Sequence, residues 1–254
     1  RNDKQERIFN NFKKSKRMNP EKERWVLLVV LSIIWGSSFI LIKKSLEHFN
    51  PYEVGALRVL IAGILLLPMA ILNIKKFPRK YLKWLILAAL TGNFIPMFLF
   101  PIAETKVSSS IAGIINSMMP IFVIIVGSFF WKFSTSKRQL IGVAISFSGA
   151  CILAFSGGSS GELKLIPIVL LLVATLCYAI STTTVKSKLH TIPAKILSAF
   201  VFSFVLIIPS MVSLVFAGFF NNLHANQNLA EGLGYVSLLS IFGTGLAMML
   251  NYRL

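Results

Sequence analysis

The chain has 254 residues, 55% hydrophobic and 14% charged, with a formal charge of +17 and a mean hydropathy of +0.74. Soluble domains carry about 25% charged residues, so a water-soluble globular enzyme is not expected. Basic residues outnumber acidic ones 26 to 9, which would suggest nucleic acid if they covered one face; here they follow the loops.

Residues 1–24 hold nine Lys/Arg and four acids, with no apolar core of a signal peptide. They read as a cytoplasmic basic tail in which Met18 is a candidate start. Apolar runs follow at Trp25–Ile42, Val54–Leu72, Trp84–Ala103, Val107–Trp131, Leu140–Phe155, Leu163–Val185, Ile196–Phe216 and Leu233–Tyr252. Each is close to the ~20 residues a helix needs to span a bilayer core. Inside lipid every backbone amide must be satisfied within its own segment, which favours helices. The expected fold is an all-α polytopic membrane protein with eight transmembrane helices. Of the Lys/Arg, 21 fall on the N-terminal side of these spans and only Lys43, Lys44, Lys106 and Lys164 on the other, with Arg58 inside helix 2. This asymmetry puts the N-terminus in the cytoplasm and accounts for the charge without nucleic acid. Cys151 and Cys177 lie in apolar runs and read as small hydrophobes, and no cofactor or metal is implied.

The halves of the chain echo each other. Trp35, Ile42-Lys43, Pro51, Leu67-Pro68 and Gly92 can be laid on Tyr178, Val185-Lys186, Pro193, Ile208-Pro209 and Gly243, at offsets of 143, 143, 142, 141 and 151. Five helices form the first unit (25–156), residues 157–162 are a Gly/Ser linker, and the second unit (163–254) holds three. An odd helix number inverts the second unit relative to the first, a common transporter design. Counterparts of helices 4 and 5 are missing from the second unit, so the expectation is a ten-helix protein truncated at its C-terminus.

Five stretches in order complete the pattern. They are Ile34-Trp35-Gly36-Ser37-Ser38-Phe39; Pro51 with Leu57-Arg58; Ala103-Glu104-Thr105-Lys106-Val107-Ser108-Ser109-Ser110-Ile111-Ala112; Asn116-Ser117-Met118-Met119-Pro120; and Gln139-Leu140-Ile141-Gly142 with Gly149. With them the chain resembles the drug/metabolite transporter superfamily, in its ten-helix bacterial branch with two EamA domains. The resemblance implies a secondary transporter or facilitator of the cytoplasmic (inner) membrane, exporting a small metabolite (an amino acid or amphipathic compound) by alternating access. One departure is the end of helix 4, where the family usually has Gly-Glu and this chain has Lys132-Phe133.

Candidate site residues follow from the cost of polar groups in lipid. A charge within a span costs from about 3 to more than 10 kcal/mol, so it is paired, snorkelling or functional. Arg58, one turn into helix 2 and within reach of Glu53 or Glu104, is a candidate substrate anchor or gate, or a snorkelling arginine. Glu53 and Glu104 are candidate proton carriers, since no Asp or Glu lies mid-membrane, with a solvated loop acid the alternative for Glu104. Asn93 and Asn116 must be satisfied inside their helices, as interhelical glue or as substrate contacts; Thr244 and Asn251 offer related chemistry. Trp35, Ser38 and Tyr178 are candidate cavity walls, with ordinary packing the alternative. Pro96, Pro101 and Pro120 interrupt helices, and Gly142, Ser146 and Ala150 form a small-residue stripe for helix packing.

The rival readings are an intramembrane enzyme and a non-transporting scaffold or sensor. Residues 157–161 match G-x-S-x-G in letters, but without the strand and sheet a nucleophile elbow needs. His48 and His224 fall on the side opposite His190, so the three cannot form one cluster. A scaffold predicts a bundle with no polar cavity. A transporter predicts a cavity bordered by helices 1, 3, 4, 6 and 8, with a small-molecule substrate, the bilayer and protons as partners.

Overall fold

The computed structural model describes residues 20–77, 79–156, 165–222 and 228–252. Residues 1–19 of the basic tail, the 157–162 linker, the side chain of Cys151 and His224 lie outside the described residues; Pro20–Arg24, read from the sequence as tail, begin the first helix. Eight long helical spans fill the rest: α1 (Pro20–Ser45), α2 (Pro51–Leu72), α3 (Arg79–Glu104), α4 (Ser109–Trp131), α5 (Lys137–Ser156), α6 (Leu165–Leu189), α7 (Ala194–Phe216) and α8 (Leu229–Asn251). No strand occurs among the described residues. Seven of the eight are long and apolar enough to cross a membrane, and α5 adds twenty residues. The protein is an all-α polytopic membrane protein.

Helix starts differ from the apolar runs where polar residues cap them. α2 begins at Pro51, before its first apolar stretch, because Asn50 Oδ1 accepts the N–H groups of Tyr52 (3.0 Å) and Glu53 (2.9 Å). Glu53 Oε2 returns the bond to the Asn50 N–H at 2.9 Å, completing a capping box. At the far end of α4 Lys132 adopts φ 53°, ψ 35°. That left-handed cap suits glycine, the residue the EamA pattern usually has there.

Several spans are irregular. α3 widens to a π turn at Leu90–Phe94, α7 at Phe200–Leu206 and α8 at Ile241–Leu246. α4 breaks after Asn116: Pro120 has no N–H for the Asn116 carbonyl, and the Ile121 N–H turns to Met118 O at 2.9 Å. Such interruptions leave polar backbone to be satisfied by neighbouring helices or a cavity.

Two apolar clusters sit toward the two ends of the bundle. One gathers Phe49, Val54, Leu57, Phe100, Leu214 and Val236, and the other Leu66, Leu85, Leu189, Leu197, Phe200 and Met248. Between them lies a polar waist of Ser38, Arg58, Asn93, Ser181 and Thr244, all buried. Among the described residues, four side-chain hydrogen bonds that join the first five helices to the last three are Asn50 Nδ2 to Ala217 O (3.1 Å), Arg58 Nε to Thr244 Oγ1 (2.7 Å), Ser181 Oγ to Ala88 O (2.9 Å) and Ser203 Oγ to Gly63 O (2.8 Å). Three of the four involve or adjoin a π turn. Large apolar residues such as Ile33, Leu72, Phe129 and Phe216 remain exposed, as lipid-facing surfaces must. Gly142 of α5 is open too, with nothing within 4 Å of a Cβ built on it.

Candidate substrate cavity

The polar waist surrounds a cavity of about 80 Å3. α1 contributes Trp35, Ser38, Phe39 and Ile42; α2 Arg58; α3 Gly92 and Phe100; and α4 Asn116 and Met119. α6 supplies Tyr178, Ser181 and Thr182, and α8 supplies Gly243, Met248 and Asn251, with Tyr252 just beyond.

Of the ten candidates read from the sequence, Trp35, Ser38, Arg58, Asn116, Tyr178 and Asn251 line this cavity. Thr244 stands behind Arg58: its Oγ1 accepts from Arg58 Nε at 2.7 Å and reaches the Leu239 carbonyl at 3.4 Å. Arg58 is 5% exposed, and no ion pair joins it to Glu104. The sequence offers Glu53 or Glu104 as its partner; the folded chain gives it a neutral hydroxyl, because the π turn of α8 brings Thr244 across to α2.

Glu53 is engaged in the α2 capping box and does not line the cavity. Glu104 is fully buried at the end of α3. Its Oε2 meets Ser109 Oγ at 3.0 Å, its Oε1 has no hydrogen-bond partner, and Lys43 Nζ donates to its backbone carbonyl at 2.6 Å. Ser109 Oγ also lies 3.1 Å from the Phe39 carbonyl. One hydroxyl proton cannot serve both acceptors, so both Ser109 contacts are hydrogen bonds only when the carboxyl itself carries a proton to give. Asn93 is fully buried with neither amide atom hydrogen-bonded, although the Tyr252 hydroxyl is near enough to interact with it. Asn116 Oδ1 is likewise buried without a partner, beside the break in α4.

Aromatic rings form the cavity's apolar wall. Phe39 and Phe100 lie 5.7 Å apart, and Phe100 stacks on Tyr178 at 5.8 Å. Two close approaches mirror each other across it. A Cβ on Gly243 would stand 2.5 Å from Ser38 Oγ, and one on Gly92 would collide with Ser181 Oγ.

Comparison with known proteins decides the family. The model of the EamA-like transporter family matches residues 24–155, just over half of the chain. The chain belongs to the EamA-like transporter family. It is similar to an "Uncharacterized transporter" of Archaeoglobus fulgidus, 28% identical over 167 residues that cover 66% of this chain and 59% of that one. It is also similar to the "Uncharacterized inner membrane transporter YedA" of Escherichia coli K12, 33% identical over 139 residues, 53% of this chain and 44% of that protein. A second Archaeoglobus fulgidus "Uncharacterized transporter" is 25% identical over 224 residues, 85% of this chain and 76% of that one. The first two alignments thus reach about half of each relative's length.

In this EamA-like chain the sequence reading missed Ser181, Gly92 and Gly243 as parts of one arrangement. Ser181 follows Ser38 by the same 143 residues that separate Tyr178 from Trp35, so the offset held the signal. Phe39, Phe100 and Met119 carried none, because an apolar residue on a cavity wall and one facing lipid look alike in a uniformly apolar span.

Proposed function

We propose that the protein is a secondary transporter or facilitator that carries a small metabolite, an amino acid or amphipathic compound, out across the cytoplasmic membrane by alternating access. The observation that carries this reading is the cavity in the polar waist, walled by helices from both parts of the chain and bordered by interrupted α3, α4 and α8. Polar groups inside a membrane are costly and collect on solute pathways, and broken helices at mid-membrane are how transporters build such sites. A scaffold or sensor has no use for either. The family membership favours a carrier over an enzyme.

In this reading two inverted units, 25–156 and 163–254, rock about the cavity. The reciprocal Ser38–Gly243 and Ser181–Gly92 approaches support that pairing, since each sets a first helix of one unit on a third helix of the other. The N-terminus lies in the cytoplasm, on the side richer in Lys and Arg. Glu104 is the coupling residue if protons drive the cycle, through its buried carboxyl and the single-proton contest at Ser109.

The test is flux of a radiolabelled amino-acid and metabolite panel in proteoliposomes, with and without a pH gradient. Export that responds to the gradient supports a proton-coupled carrier, and export indifferent to it a facilitator. No flux of any solute by folded protein would end the transport reading in favour of a scaffold.

A further inference from the structure

The cavity carries one formal charge. Every lining residue except Arg58 is neutral, and Arg58 spends only its Nε on the protein, on Thr244. No ion pair to Glu104 neutralises it, and Glu104 keeps its own oxygen contact with Ser109. Glu104 acts on the guanidinium only from beyond ion-pair distance, and a cation held in a span without a paired counter-ion is expensive. The two terminal nitrogens of a guanidinium form a planar fork matched to a carboxylate. Thr244 fixes that fork from behind, and the Phe39, Phe100 and Tyr178 rings flank the space before it. The amides of Asn116 and Asn251 and the hydroxyls of Ser38, Tyr178, Ser181, Thr182 and Tyr252 are the neutral polar groups of the lining. A dianion such as phosphate would need a second cation, and none lines the cavity.

Resting on the transport reading, we infer that Arg58 is the carboxylate subsite of the cavity and that the substrate class is small monocarboxylates with an apolar or aromatic body. Thr244 is a positioning residue, holding the guanidinium with its free edge toward the cavity.

The test is equilibrium dialysis of the full chain in phosphatidylcholine nanodiscs, with radiolabelled benzoate and benzamide, an acid and a neutral amide of the same shape. Benzoate should bind about ten- to a hundredfold tighter than benzamide, the usual gain of a charge-assisted pair over a neutral one. Arg58→Gln should bring the two ligands together. Arg58→Lys, which keeps the charge but loses the fork, should lose about tenfold for benzoate with benzamide unchanged, and it decides the matter if Arg58→Gln does not fold. Thr244→Val should weaken benzoate alone. Equal binding of acid and amide by the wild-type chain, an acid preference that survives Arg58→Lys undiminished, or binding of neither ligand would overturn the inference. Flux of solutes without acid preference would remove this subsite and leave transport standing. Acid-selective binding without flux would keep the subsite and remove transport.

Discussion

Gly243→Ala is a sensitive probe of the polar waist. The added methyl would stand 2.5 Å from Ser38 Oγ, 3.3 Å from Leu239 Cδ1 and 3.6 Å from Ser38 Cβ. Only the first is impossible; the second yields to a side-chain rotation and the third is ordinary contact. Overpacking of this kind costs about 1–3 kcal/mol. Ser38→Ala removes the offending oxygen, and its own cost is small because that hydroxyl only back-bonds to Ile34 O within α1. The double variant should therefore return to within about 0.5 kcal/mol of wild type, a coupling of about 0.5–2.5 kcal/mol between residues in contact. Thermal unfolding in detergent reads it, at about 2–4 °C per kcal/mol for a chain of this size. The matching pair should behave differently. A methyl on Gly92 meets Ser181 Cβ at 2.8 Å as well as the hydroxyl, and Ser181 also bonds the Ala88 carbonyl, so Ser181→Ala should rescue Gly92→Ala only in part. Simple additivity of Gly243→Ala and Ser38→Ala would refute the argument.

Other expectations follow from the same geometry. Lys132→Gly should stabilise the protein by about 0.5–1 kcal/mol, because the cap at φ 53° suits glycine; a lower melting temperature would contradict it. Asn50→Ala leaves the Tyr52 and Glu53 N–H groups without their cap and removes the bond to Ala217 O, which should cost about 1–2 kcal/mol in the same melt. Glu104→Gln should leave exchange between equal solutions intact but abolish any response of flux to a pH gradient, measured in proteoliposomes.

Much of the fold was legible because bilayer thickness writes itself into sequence as apolar runs of fixed length. Eight runs were visible, and eight helical spans stand where they lie. The ends were less legible: Asn50, Pro51 and Glu53 extend α2 through polar capping that no apolar run records. Polar residues in spans announced themselves one at a time, and Arg58, Asn116 and Tyr178 do gather at one cavity. Their partners did not. That Arg58 bonds Thr244 depends on the π turn of α8, and a widened turn leaves no reliable mark in residue order. Glycine and serine at Gly92 and Ser181 are too common in apolar helices to be singled out without the packing.

The four bonds that tie α2 and α3 to α6, α7 and α8 have a consequence for how rough the path between conformations is. Three use a hydroxyl or amide on a carbonyl, and one sets a cation on a hydroxyl; none pairs opposite charges. Interhelical polar contacts in membranes average only about 0.6 kcal/mol in double-mutant cycles, close to the thermal energy. A joint fastened this way has no deep trap at any one register. Sliding past it exchanges one weak partner for the next, so friction at the waist stays low while the aromatic and aliphatic clusters on either side keep their shape.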